Sequence, residues 1–434
     1  MNILEKKRAS QYLLASITLS FCIIVNSKSY NHKENSPSLL EDATRFHSQK
    51  ELSLATRLLQ VYPFSAHTFL SPELNSYPAE TSFWIIDLKF DDQTNELKIC
   101  ELGNGRYAGF KGYHALYGQG VIWQRFWRFL ELLHIPLWYV GSSFERETLR
   151  GKNVINGTSI PLITNFSPTK NSRFNGIFDP QNILSHDGLL VFHSSKTSKE
   201  NTQSIKKRFP RIMQLNEATN RFISNKKETN LLFEGDSQLM HYKPKFKIYK
   251  KQYYPTLAEQ IMNDLACKIF VIKPLNSSQG NGIIIVEKEN LDETLKLIFS
   301  TDGSLEKFKT NPSYYFWKKD SNKEFLVEEY AQSKKILVGK NYYDPTMRVV
   351  CFLYNHNGYV RSTFFASYWK LPEKPLNKEG SLTQKHKSKI IPGKSCSARV
   401  AAADFETVST MLSEALPRLY TKMLGKYFSS TYEN

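Results

Sequence analysis

Ile269 to Val286 reads IFVIKPLNSSQGNGIIIV. An apolar run ends in Lys273-Pro274, and a polar loop with two glycines follows (Ser277-Ser278-Gln279-Gly280-Asn281-Gly282). A β-branched run, Ile283 to Val286, closes it. A strand, a glycine loop and a second strand, with a lysine where the first strand ends, is one way to hold a triphosphate. The lysine supplies a point charge for phosphate oxygens, and the glycines let backbone N–H groups come close to them. This is no Walker A loop: the G-K-[ST] ending is missing and a strand follows where a helix would open. Taken alone, the residues also describe an ordinary hairpin with a solvent-facing lysine, so the neighbouring sequence has to separate the two.

From Gly188 onward the chain has an α/β rhythm. Strands are expected at Leu189 to Phe192, Ile212 to Leu215, Phe246 to Tyr249 and Phe325 to Tyr330, with helices at Ser198 to Arg208, Asn216 to Phe233, Thr256 to Ala266 and Asp292 to Phe299. Met347 to Leu353 and Tyr359 to Phe365 form a strand pair around Asn355-His356-Asn357-Gly358, a good hairpin turn, and Phe405 to Leu424 is a terminal helix. Upstream, Phe83 to Phe90 (FWIIDLKF) and Leu97 to Leu102 are strands flanking the turn Asp91 to Asn95. Trp123, Phe126, Trp127, Leu130 and Leu133 recur at helical spacing and predict a core-facing helix over Val121 to Leu133. Residues 151–187 are rich in loop formers.

Four short motifs follow one another in this half: N-K-x-x-T at Asn225 to Thr229, V-I-K-P with S-S-Q-G-N-G at Val271 to Gly282, V-E-E-Y at Val327 to Tyr330, and D-P-T-M-R-V at Asp344 to Val349. Their order resembles the ATP-grasp superfamily over roughly Leu189 to Leu371. The resemblance implies an α/β (α+β) chain: an ATP-grasp-like two-subdomain nucleotide fold preceded by a smaller α/β domain. The corresponding division is 1–27 signal- or anchor-like, 28–80 linker and N-terminal extension, 81–187 a hairpin-containing domain, 188–225 a small α/β region, and 226–434 the ATP-grasp-like domain.

Residue by residue, Lys226 and Lys273 look like the two lysines that contact ATP phosphates. The loop with Ser277, Ser278, Gly280 and Gly282 looks like the cover over the β- and γ-phosphates. Glu328, with the backbone of Glu329 and Tyr330, looks like the hinge that receives the adenine amino group. Arg348 looks like the arginine that stabilises charge on the transferred phosphoryl group, so Lys273 and Arg348 are the candidate catalytic residues. Many relatives carry a ribose-binding acid some seven residues after the hinge glutamate; here that position is Lys335. The family also closes on a strand pair bearing Asp and Glu-x-Asn for Mg²⁺, and this sequence ends without one, at Glu433-Asn434. An N-terminal hairpin is a candidate replacement: Asp87 and Glu101 lie on its two strands, with Asn104 just beyond in E-L-G-N, not E-x-N. A rearranged order would then bring an early metal hairpin to the later nucleotide lysines; a hairpin with two solvated acids is the alternative.

The activity implied is an ATP- and Mg²⁺-dependent ligase joining a carboxylate to an amine through an acyl-phosphate, on small-molecule or peptide substrates, acidic ones included. Lys370, Lys385, His386 and Lys387 are candidates for an acidic acceptor, or a solvated basic loop. Two other classes stay open: a catalytically inactive nucleotide-binding or regulatory module, and a basic membrane- or surface-associated binding protein.

Composition bounds these readings. With 434 residues, 41% of them hydrophobic, and 23 Tyr and 28 Phe, the chain has the makings of two to three folded domains. The net charge of +17 gathers in clusters such as Lys243 to Lys251 and Lys385 to Lys394, which suit a solvated surface, an anionic membrane or an acidic substrate. No arginine-rich tail or zinc-finger spacing speaks for specific nucleic-acid binding. Five dispersed cysteines (Cys22, Cys100, Cys267, Cys351, Cys396) suggest reduced thiols and not a disulfide framework. Lys6-Lys7-Arg8 ahead of Tyr12 to Val25 outlines a secretory signal or anchor. The expected location is therefore cytoplasmic if that segment is not a working signal, and exported or membrane-anchored, with membrane contact through it, if it is.

Overall fold

The longest apolar strands of the chain meet in one antiparallel sheet. The protein is described by a computed structural model, at residues 65–76, 80–105, 110–118, 121–122, 125–126, 129, 137–140, 154–155, 158–159, 162–163, 189–192, 213–223, 225–277, 280–299, 309, 311–356, 358–388 and 396–432. In chain order the strands are β1 (Ser65–Leu70), β2 (Glu80–Asp91), β3 (Glu96–Asn104), β4 (Leu137–Val140), β5 (Val154–Ile155), β6 (Thr158–Ser159), β7 (Leu162–Ile163), β8 (Leu189–Phe192), β9 (Met213–Gln214), β10 (Phe246–Lys250), β11 (Ile269–Pro274), β12 (Ile284–Glu287), β13 (Glu324–Glu329), β14 (Ile336–Val338), β15 (Asn341–Tyr343), β16 (Thr346–His356), β17 (Tyr359–Lys370) and β18 (Ser397–Ala398).

The central sheet has the order β1-β17-β16-β2-β3, with β18 beside β17. Side chains alternate between the faces of a strand, and β2 shows what each face does. Trp84, Ile86, Leu88 and Phe90 join a core with Val349, Cys351 and Leu353, under the C-terminal helix Ala402–Tyr432. That helix supplies Val408, Leu412, Leu416, Leu419, Tyr420 and Met423, an apolar stripe at three- and four-residue spacing. On the opposite face Phe83 packs with Val350, Phe352 and Phe365 against Phe110, Phe126 and Phe129. The same face continues along β2 to Asp87 and Lys89, and along β16 to Arg348 and Thr346. Half of this face is therefore core and the other half is polar.

A second antiparallel sheet, β10-β13-β11-β12, carries the lysine–glycine hairpin. Helices Leu257–Leu265, Leu291–Phe299 and Pro312–Lys319 cover it through Leu257, Ile261, Leu291, Leu295 and Trp317. A third sheet, β7-β4-β8-β9, is parallel. The chain is thus a mixed α/β protein, as expected.

Several expectations change in detail. The helix expected from Asn216 to Phe233 is broken: Asn216 has φ 62°, and helices run only over Asn220–Ile223 and Lys226–Leu231. Asn225 causes the second start, its side-chain oxygen accepting the N–H groups of Lys227 and Glu228 as an N-cap. β1 falls inside the stretch read as linker and pairs with β17. β2 and β3, assigned to a separate 81–187 region, lie in one sheet with β16 and β17, so the pairing crosses the boundaries drawn from sequence. The segment 1–27, the helix Ser198 to Arg208, Trp123, Trp127, Leu130, Leu133 and Cys22 lie outside the described residues.

Candidate functional site

Strand register brings the N-terminal hairpin to the later motifs. Asp87 of β2 is the cross-strand partner of Arg348 on β16 and of Glu101 on β3. The Arg348 guanidinium makes a two-pronged contact, Nε donating to Asp87 Oδ1 at 2.6 Å and an Nη to Oδ2 at 2.7 Å. Lys370 Nζ donates to the same Oδ2 at 2.7 Å. Burial alone would raise the Asp87 carboxyl, but the Arg348 and Lys370 charges outweigh it and hold it well below the usual carboxylate range.

Lys273, buried at the end of β11, pairs with Glu328, and its Nζ also donates to the Cys100 carbonyl of β3 at 3.3 Å. Lys243 Nζ donates to the other Glu328 oxygen at 2.7 Å. Glu328 is only 2% exposed. Burial would raise its carboxyl, and the two lysines bring it down instead. Two ammonium groups share this one carboxylate. At Lys273 burial, the largest cause, lowers the pKa, but Glu328 with Cys100 and Glu101 outweighs burial and raises it; at Lys243 burial, aided by the Lys273 charge, lowers it.

Lys226 stands in the first turn of its helix, where the Asn225 cap aims it at the glycine loop. Its Nζ donates to the Ser277 carbonyl, lies 3.3 Å from Ser277 Oγ, and sits 3.7 Å from Glu101 Oε1. Gly280 (φ 72°) and Gly282 (φ 74°) both need left-handed backbone. Gly280 lines the cavity, whereas Gly282 is anchored away from it, its carbonyl accepting Trp317 Nε1 at 2.9 Å. Ser278 lies outside the described residues.

Two adjoining cavities of about 320 and 350 Å³ have Cys100, Glu101, Lys273 and Glu328 as common walls. Lys226, Lys243, Asn104 and Ser277 line the first; Asp87, Arg348, Lys370, Gly280, Glu329, Tyr330 and His386 line the second. Almost every sequence-selected residue therefore reaches one or other of these two cavities. The hinge differs from expectation in one respect. The Glu328 carboxylate is committed to two lysines, the Glu329 N–H donates to Lys245 O at 2.8 Å, and the Tyr330 N–H donates to Ile269 O at 3.0 Å. The Glu328 side chain and the Glu329 and Tyr330 N–H groups are therefore already paired within the protein. Lys243, read from sequence as part of a surface cluster, is 4% exposed and belongs to the site. Its lysine-rich surroundings hid it, since a basic run carries no sign of which member is buried.

The three residues expected to hold metal are not a ready-made trio. Among the described residues, no group of three or more His, Cys, Asp or Glu side chains is arranged to hold an ion. Asp87 has both oxygens engaged by cations. Asn104 sits in E-L-G-N, so strand alternation puts it on the face opposite Glu101; its amide donates to Asn220 Oδ1 at 2.7 Å, while its own Oδ1 is buried with no hydrogen-bond partner among the described residues. Glu101, with its side chain 38% exposed and 3.7 Å from Lys226 Nζ, is the accessible carboxylate of the hairpin pair. Glu101 is a hard donor of the kind Mg²⁺ takes together with phosphate oxygens, whereas Asn104 faces the other side of the strand.

No protein-family model matches the chain, and no curated protein matches it. Solved structures that it resembles include a proposed gamma-glutamylcysteine synthetase from Methylobacillus flagellatus KT, at 10% identity and TM-score 0.40, covering 83% of this chain and 92% of that one. D-cycloserine synthetase DcsG matches at 11% identity and TM-score 0.31, covering 65% and 81%. D-alanyl-alanine synthetase A from Vibrio cholerae matches at 14% identity and TM-score 0.28, covering 54% and 58%. At such identities and scores the likeness carries no case for an activity; that case rests on the residues themselves.

Proposed function

We propose that the chain is an ATP- and Mg²⁺-dependent ligase of ATP-grasp type, joining a carboxylate to an amine through an acyl-phosphate. The observation that carries this reading is the gathering of Lys226, Lys273 and Arg348 with the acids of the β2–β3 hairpin at two adjoining cavities that share Glu101 and Lys273. Lys226, Lys273 and the glycine-loop backbone bind the phosphates. Arg348, held in line by Asp87, neutralises charge on the transferred phosphoryl group; phosphoryl transfer is mostly positioning and charge stabilisation. Glu101 would hold Mg²⁺ together with phosphate oxygens, and the ion when bound would screen the phosphate charge. Lys370 and the cationic wall around it orient the carboxylate that accepts the phosphoryl group.

The test is a screen for ADP release with purified protein, Mg²⁺-ATP and panels of amino acids, small peptides and polycarboxylates. Acceptor-dependent ADP and phosphate release is the expected result. ATP binding without turnover on any pair would favour a second reading, a nucleotide-binding or regulatory module. The double cation grip on Asp87 is the observation that speaks for that alternative. A membrane role would involve the N-terminal segment; among the described residues no helix is long and apolar enough to cross a membrane.

A further inference from the structure

β11 gives the cleft a direction. It starts at Ile269, whose carbonyl accepts the Tyr330 N–H, and ends at Pro274, beside the glycine loop. Tyr330 is therefore at the far end from that loop, about 17 Å along a strand rising ~3.3 Å per residue. A nucleotide with its phosphates at Lys273 and Gly280 points its nucleoside toward Tyr330.

A polar cluster with no part in the chemistry above hangs on the Tyr330 hydroxyl, between that end and the glycine loop. His386 Nδ1 lies 2.6 Å from Asp344 Oδ2 and 2.8 Å from the Tyr330 hydroxyl. Asp344 is buried, and its Oδ1 takes the Ser333 N–H at 3.2 Å and Lys89 Nζ at 3.1 Å. Lys89 in turn lies 5.6 Å from the centre of the Tyr330 ring. A carboxylate held this way only accepts, so His386 Nδ1 carries a proton toward Asp344 and Nε2 is the ring nitrogen left for a ligand. Nε2 has no hydrogen bond among the described residues, and His386 lines the cleft. Lys335, where an acid was expected for the sugar, is exposed.

His386 is also fixed in place. Its helix Leu382–His386 starts with a capping box at Ser381. Thr383 Oγ1 takes the Ile285 N–H at 2.9 Å, Lys387 Nζ donates to Gly280 O at 3.3 Å, and the Ser388 and Thr346 hydroxyls lie 3.0 Å apart. The segment is tied to both sheets, one on each side of the cleft.

We infer that His386, oriented by Asp344, makes a hydrogen bond through Nε2 with a sugar hydroxyl of the bound nucleotide, so that this strap reads the ribose. The inference rests on the nucleotide reading above. A fixed ring nitrogen aimed at a hydroxyl separates ribonucleotides from analogues that lack it, because the analogue leaves that nitrogen unpaired.

The experiment measures the affinity of the full chain for Mg²⁺-ATP, 2′-deoxy-ATP and 3′-deoxy-ATP by calorimetry, without an acceptor. The expected result is about five- to tenfold weaker binding of one deoxy analogue, the size of one neutral hydrogen bond. His386→Ala weakens ATP by the same factor and leaves that analogue unchanged, and His386→Gln, which keeps an acceptor, restores part of the difference. Equal affinity of wild-type protein for all three nucleotides overturns the inference and leaves the nucleotide site standing. Discrimination that survives in both His386 variants overturns it too. No binding of any nucleotide removes the nucleotide reading itself, and the inference with it.

Discussion

Replacing Lys273 by methionine separates its structural from its functional role. In the folded protein this ammonium is 6% exposed and shares Glu328 with Lys243. Removing one partner of an isolated buried ion pair costs about 3–5 kcal/mol, because the other charge is stranded. Here Lys243 remains on Glu328, so the loss is closer to one charged hydrogen bond, about 1.5–3 kcal/mol. With an unfolding entropy of about 2.1 cal/mol/K per residue, roughly 0.8 kcal/mol/K for a unit of this size, Tm falls by only about 2–4 °C. The functional loss is larger. One ammonium–phosphate contact worth about 1.5–3 kcal/mol is a factor of roughly 10–150 in ATP affinity, and turnover falls by about 10²–10³ where the charge acts on the transition state. The measurements are a thermal melt with and without Mg²⁺-ATP, and ADP release under single-turnover conditions. Lys243→Met serves as the matched control, with a similar Tm loss and a smaller effect on turnover. A Lys273→Met protein that melts a few degrees lower yet binds and turns over ATP like the wild type would refute the assignment.

Glu101→Gln should leave ATP affinity without metal nearly unchanged and move the Mg²⁺ requirement upward by about tenfold or more, as expected when a hard carboxylate is lost; an unaltered Mg²⁺ titration of nucleotide binding would remove Glu101 from the metal site. Asp87 has a depressed carboxyl in the folded state, so its contribution to stability is present above the ordinary carboxylate pKa of about 4 and fades as pH falls below it. The difference in Tm between wild type and Asp87→Asn should therefore be widest near neutral pH and narrow below about pH 4; a constant difference down to about pH 3 would contradict the ion-pair account. The glycines of the loop should separate: Gly280→Ala meets nothing closer than Lys387 Cδ at 3.6 Å and costs only the left-handed backbone, about 1–2 kcal/mol. Gly282→Ala in addition drives a methyl into the Pro274 ring and to 2.8 Å from Phe316 Cδ1. Melting curves should show the second variant clearly less stable, and equal losses would argue against the close packing of Gly282 on Pro274 and Phe316.

The strands were legible because their apolar runs are long and bounded by turn residues, and most run longer than read. β2 shows why: Glu80 to Ser82 are polar yet buried, so hydropathy stops short of where hydrogen bonding stops. The break at Asn225 was written in the sequence as an N-cap residue, but the helical periodicity on both sides masked it. Lys226, Lys273, Arg348, Asp87 and Glu101 could be picked out one by one from local pattern, because loop glycines, strand ends and turns are local properties of the chain.

What the sequence alone determined is this local grammar: which residues are strand, loop or cap, and which polar side chains interrupt apolar runs. What only the tertiary structure decided is partnership. Asp87 and Arg348 stand 261 positions apart and become cross-strand neighbours through register. Glu328, legible as a strand-end acid, becomes the shared counter-ion of two lysines, one of which had looked like surface charge. Periodicity is fixed within a few residues of chain, whereas charge pairing and burial depend on which distant strands come to lie side by side.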